Sequence, residues 1–69
     1  MSNSTNLKNL GLIIKKYRIK ISISQEELGF RCNIHRTTIG KIENGEMDPK
    51  YTTLIKIVRT LNIPSQEIF

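Results

Sequence analysis

Ser24-Gln25-Glu26-Glu27-Leu28-Gly29-Phe30-Arg31-Cys32-Asn33-Ile34-His35-Arg36-Thr37-Thr38-Ile39-Gly40-Lys41-Ile42-Glu43-Asn44-Gly45 is the stretch on which the fold turns. Ser-x-x-Glu at 24–27 is a capping box, in which Ser24 and Glu27 each satisfy a free backbone N–H at a helix start. Leu28 and Cys32 then face inward from that helix. Asn33 stands where a tight turn calls for a left-handed residue, a conformation that Asn tolerates better than most. Ile34, Ile39 and Ile42 face inward from the next helix. Asn44-Gly45 ends it, since Gly is favoured just past a helix C-terminus.

The stretch therefore reads as two short helices joined by a tight turn. The second has an apolar inner face and a basic, hydroxyl-bearing outer face made of Arg36, Thr37 and Lys41. In a helix-turn-helix the second helix projects while the first braces it, and close packing at the crossing demands a small residue in the bracing helix. Gly29 occupies that place. This is the layout that lets a small protein lay one helix in the major groove of DNA.

On the N-terminal side, Met1 to Asn6 is rich in Ser and Asn and reads as a flexible segment, with Asn6 able to cap a first helix. From Leu7, apolar residues recur at Leu10, Ile14, Tyr17 and Ile21, with Ile13 beside them, in the steps of three and four that mark an amphipathic helix. Lys8, Lys15, Lys16 and Lys20 cover much of its remaining surface. On the C-terminal side, Glu46 to Lys50 reads as a loop, with Pro49 holding Asp48 extended. Leu54, Ile55, Val58 and Leu61 predict a fourth helix, its apolar face widened by Ile57. Pro64 suits the first turn of a short fifth helix, Ser65 to Phe69. No strand alternation, repeat or low-complexity tract interrupts this pattern. The expectation is an all-α, compact, five-helix domain over residues 7–69, with helices 2 and 3 forming the helix-turn-helix.

Composition sets bounds on function. Sixty-nine residues make one domain, and a chain this short buries only about 60% of its unfolded surface. Small domains are often reinforced by a disulfide, a metal or a partner subunit. A single cysteine, Cys32, excludes an intrachain disulfide, and one histidine with one cysteine cannot close a four-ligand zinc site. No metal or other cofactor is expected, and dimerisation is the remaining route. Cys32 itself reads as a small core residue. The absence of a disulfide framework and of an export signal predicts a cytoplasmic setting. No apolar run approaches the ~20 residues of a membrane span. The net charge of +5 favours an anionic partner such as nucleic acid. No Ser/His/Asp arrangement and no acid paired with a nucleophile is evident, so an enzyme is not expected.

From about Leu10 to Phe69 the chain resembles the Cro/phage-repressor class of helix-turn-helix regulators, the xenobiotic-response-element family. Ser-Gln-Glu-Glu-Leu at 24–28, Thr-x-Ile at 37–39, Ile-Glu-Asn-Gly at 42–45, Pro49 and Leu54-Ile55-Lys56-Ile57 carry the resemblance. His-Arg-Thr at 35–37 is similar to small restriction–modification controller proteins, which are stand-alone dimers of this class.

The resemblance implies roles by position. Arg36, Thr37 and Lys41 match positions that reach base edges. Their chemistry suits the task, since Arg and Lys donate to guanine O6 and N7 while Thr offers a hydroxyl and a methyl. His35, at the front of the same helix, is placed against a phosphate or a base. Ser24 and Gln25 match phosphate-binding positions at a helix start, where free N–H groups favour an anion. Asn44 and Lys50 match phosphate contacts after the third helix. Arg18 and Glu43 match a structural salt bridge. Ile63, Ile68 and Phe69 are expected to contribute to a dimer seam as well as to closing the core.

The chain departs from the family pattern in places. Gly29 replaces the usual Ala, and Asn33 the frequent Gly of the turn. Gly40 lies inside the second helix of the motif, where Gly costs about 1 kcal/mol relative to Ala; it either lets the DNA backbone approach or is incidental. Lys50 stands where a polar cap is usual, so the fourth helix is expected to start weakly. The functional expectation is a sequence-specific transcriptional regulator that binds a palindromic operator in double-stranded DNA as a homodimer, with no small-molecule ligand evident. The alternative is an antitoxin-like interaction module on the same fold. That alternative calls for a partner-binding tail, and none follows Phe69 in this sequence.

Overall fold

The structure, a computed structural model, describes residues 3–69. Its elements are α1 (Asn3–Lys20), α2 (Gln25–Cys32), α3 (Arg36–Glu43), α4 (Tyr51–Leu61) and a single 3-10 turn over Ser65–Glu67. There are thus four α-helices and not five. Pro64, expected in the first helical turn, is extended at ψ 132° and stands outside the helix, and the segment after it takes up the tighter i→i+3 bonds Glu67 N–H to Pro64 O and Ile68 N–H to Ser65 O. At the other end, Met1 and Ser2 of the expected 1–6 segment lie outside the described residues. The helix already runs from Asn3, upstream of the cap expected at Asn6. No Gly or Pro separates Asn3 from Leu7, so nothing in the backbone stops the helix there.

All four helices end in the same way. Ser22, Asn33, Gly45 and Asn62 each adopt a positive φ. In each case the left-handed residue and its successor donate back to the last turn: Ser22 to Ile19 and Ile23 to Arg18; Asn33 to Phe30 and Ile34 to Gly29; Gly45 to Ile42 and Glu46 to Lys41; Asn62 to Arg59 and Ile63 to Val58. This is the Schellman arrangement, which satisfies carbonyls that a helix end otherwise leaves free. Three of the successors, Ile23, Ile34 and Ile63, then turn into or against the core.

The core is built from Ile14 of α1, Leu28 and Cys32 of α2, Ile39 and Ile42 of α3, Leu54, Ile57, Val58 and Leu61 of α4, and Ile63. Ile57, expected only to widen the α4 face, is wholly buried, whereas Ile55 is half-buried; Ile21, expected inside, is exposed. Two glycines set the crossings of α3. A Cβ at Gly29 would fall inside contact distance of the Ile34 carbonyl, so the turn lies directly on α2. A Cβ at Gly11 would lie 2.5 Å from the Ile42 carbonyl and as badly against that of Glu43. Backbone-to-backbone contact at these two places is what holds α3 at its angle across α1 and α2.

Candidate nucleic-acid interface

With Ile39 and Ile42 buried, α3 presents its other face to solvent. Arg36, Thr37 and Lys41 are all exposed on it. The spacing 37–41 places two of them one turn apart, and Arg36 precedes them at the first helical position. The structure thus brings together, on one short projecting helix, the three side chains expected to read bases.

His35 has a second duty beside the expected phosphate or base contact. It is the N-cap of α3, and its Nδ1 accepts the Thr37 backbone N–H at 3.1 Å. With Nδ1 accepting, Nε2 is the ring nitrogen left to donate. At the start of α2, Ser24 Oγ accepts the Glu27 N–H at 3.0 Å. The capping box is half formed: the Glu27 carboxylate pairs with Arg31 one turn ahead, at 2.8 Å, instead of returning to the backbone of Ser24. The Gln25 and Glu26 N–H groups precede the first intrahelical donors, so the helix itself gives them no acceptor.

Behind this surface lies a buried polar network. Arg18 and Glu43 are 9% and 5% exposed. Arg18 Nε donates to Glu43 Oε2 at 2.6 Å and Arg18 Nη2 to Oε1 at 3.0 Å, a two-point pairing that suits the planar guanidinium. Arg18 Nη1 donates to the Ile23 carbonyl at 2.8 Å, and Gln25 Nε2 donates to Glu43 Oε1 at 3.0 Å. Hydrogen bonding to Glu43 raises the Arg18 pKa further above its already high value, against a smaller opposing effect of burial. The network joins the ends of α1 and α3 to the start of α2. It also gives Gln25 a structural task beside the expected phosphate contact. The Gln25 amide lies over Gly40, whose Cβ would stand 3.4 Å from Oε1.

Asn44 follows α3 as its C-cap, and its side chain is exposed. Lys50 is exposed and makes no side-chain cap to α4. Of the residues expected at a seam, Ile63 is 5% exposed and belongs to the core, because the left-handed turn at Asn62 directs it inward. Ile68 is half-buried, and Phe69 is exposed with its ring 6.1 Å from that of Tyr51. The Tyr17 hydroxyl donates to Glu67, clipping the 3-10 turn to α1. Among the described residues no helix is long and apolar enough to cross a membrane.

Sequence reasoning missed Tyr51, Gly11 and the capping role of His35. Only the last had a local signal, its place just before the helix. Cys32 lies in the core as expected, with Sγ 3.4 Å from Thr60 Oγ1.

Comparison with known proteins agrees with this geometry. A helix-turn-helix family model matches residues 14–68. A helix-turn-helix-type transcriptional regulator of Archaeoglobus fulgidus is 38% identical over 56 residues, covering 81% of this chain and 79% of its own length. The control protein C.BamHI of Bacillus amyloliquefaciens is 32% identical over 69 residues, 99% of this chain and 84% of that protein. The crystal structure of the restriction-modification controller protein C.AhdI from Aeromonas hydrophila has a TM-score of 0.86 at 26% identity, over 94% of this chain and 98% of that one. An exposed recognition helix held by two glycine crossings and a buried ion pair, with these relatives, places the chain in the XRE-type helix-turn-helix family of transcriptional regulators.

Proposed function

We propose that the protein is a cytoplasmic, sequence-specific DNA-binding regulator of the restriction–modification controller kind, which occupies a two-fold-symmetric operator as a homodimer. The observation that carries this reading is the division of α3 into a buried face, Ile39 and Ile42, and an exposed face, Arg36, Thr37 and Lys41. Arg36 and Lys41 supply donors for guanine O6 and N7, and the Thr37 methyl and hydroxyl suit thymine or a mixed edge. Ser24, Gln25, His35, Asn44 and Lys50 surround them and set the register on phosphates, a task that needs donors rather than shape. The similarity to C.BamHI and C.AhdI supports the controller assignment.

The dimer half of the proposal rests on the C-terminal end. Phe69 and Tyr51, 62% and 68% exposed, form an aromatic pair beside Ile68. Aromatic side chains of this kind are enriched in the centres of interfaces. A symmetric pair would set its two recognition helices about 34 Å apart, one turn of duplex.

Selection of bound duplexes from a random pool tests the whole reading. A consensus of two inverted half-sites with centres about one helical turn apart is the expected result. An asymmetric consensus removes the homodimer, and no enrichment at all overturns the DNA-binding reading in favour of a protein-interaction module.

A further inference from the structure

Lys8, Leu12 and Lys15 of α1, together with Glu43 and Asn44 at the end of α3, line a groove of about 240 Å³. Steps of four and three put the three α1 residues on one side of that helix. Gly45 lies close against Lys8: a Cβ there would stand 2.7 Å from Lys8 Cγ and 2.9 Å from its Cα. Both lysines are exposed, and neither is in an ion pair among the described residues.

The one acid in the lining does not oppose them. Glu43 Oε2 accepts from Arg18 Nε, and Oε1 accepts from Arg18 Nη2 and Gln25 Nε2. With its charge paired and its side chain 1% exposed, Glu43 projects little field into the groove. What the lining offers to solvent is two ammonium groups, the Asn44 amide and the apolar Leu12 between them.

The groove is also correctly placed. Asn44 lies three residues beyond Lys41, about 4.5 Å along the helix axis. A recognition helix that inserts its N-terminal residues between base edges brings its C-terminal end out over the flanking strand. We infer that Lys8 and Lys15 hold a backbone phosphate of the bound duplex beside Asn44, which extends the DNA contact from the helix-turn-helix onto α1. The inference rests on the proposed DNA-binding function. The competing role for the two lysines is purely internal: they would offset the negative end of the α3 dipole.

The test measures the affinity of the parent and of a Lys8→Gln/Lys15→Gln variant for one selected duplex over a range of salt concentrations. The expected result is weaker binding and a plot of log K against log salt that is flatter by about 0.9, the share of one phosphate, with the same base preference. A Lys8→Arg/Lys15→Arg variant keeps the parent slope, and Lys56→Gln on α4 leaves it unchanged. Lys15→Gln alone, away from the Gly45 contact, gives about half the effect and serves if the double variant folds poorly. A double variant with the parent slope overturns the inference, and a lowered melting temperature alongside it identifies the dipole role. Equal flattening by Lys56→Gln also overturns it, because the effect is then one of net charge. A parent that binds no duplex is a different result, one that sinks the proposed function itself.

Discussion

Gly11 lies directly against the carbonyl of Glu43, so that α1 crosses the last turn of α3 backbone to backbone. A methyl group there has no flexible side chain to displace, because the atoms in its way are the carbonyl oxygens of Ile42 and Glu43. Gly11→Ala gains about 1 kcal/mol of helix propensity in α1 and loses more to the clash, since overpacking of this kind costs about 1–3 kcal/mol. The expected outcome is a net loss of stability by urea unfolding. A variant as stable as the parent would show that the crossing has slack.

Gly40→Ala is expected to have the opposite sign. The nearest atom to a Cβ there is Gln25 Oε1 at 3.4 Å, the end of a side chain that can shift slightly. The helix then keeps most of the ~1 kcal/mol advantage of Ala over Gly. A higher urea midpoint with unchanged operator affinity makes Gly40 incidental to binding. A higher midpoint with weakened binding shows that the DNA backbone approaches α3 at this position.

Glu43→Ala is expected to destabilise the protein by about 3–5 kcal/mol, because it leaves the Arg18 guanidinium buried without its partner. Arg18→Met/Glu43→Leu should recover much of the loss, since apolar replacement of both partners removes the unpaired charge. Denaturant unfolding of the single and double variants checks both statements. A double variant no better than the single shows that the Ile23 and Gln25 hydrogen bonds to the pair matter as much as the charges.

Arg36→Ala is expected to weaken operator binding and relax preference at one base pair, by ~1–3 kcal/mol. A competition assay against operators changed at single positions reads this directly. A uniform loss across every sequence assigns Arg36 to a phosphate instead.

The Tyr17–Glu67 contact predicts a specific response to alkali. The hydrogen bond to Glu67, then desolvation, then the Glu67 charge raise the Tyr17 phenol above its ordinary 10.0. A group whose folded pKa is raised contributes stability in full below its unfolded value, and that stability is lost as pH rises through the folded value. The stability difference between the parent and Tyr17→Phe should therefore be constant below pH about 9 and shrink above pH about 10. A difference independent of pH over this range removes the hydrogen bond as its cause.

Much of this protein is local and was legible along the chain. The steps of three and four in the apolar residues determine α1 to α4, Ser24 determines the start of α2, and the Asn33-Ile34 and Asn44-Gly45 pairs mark two of the left-handed helix ends. The exposure of Thr37 and Lys41 follows from the buried face of α3, because a helix that turns Ile39 and Ile42 to the core shows its other side; Arg36, three residues before Ile39, is exposed as the first helical residue. Other features depend on what is distant in sequence. Ser22 is left-handed although Ser carries no such signal, because Ile23 is drawn against the core and Arg18 takes the Ile23 carbonyl. Gly11 carries no local mark that sets it apart from another helix interior glycine, and Ile63 reads along the chain as core and as seam alike. The tertiary structure decided both, by bringing the α3 carbonyls onto one and closing the core over the other. Periodicity reports which face of a helix is buried, and only the assembled fold decides which atoms lie across from it.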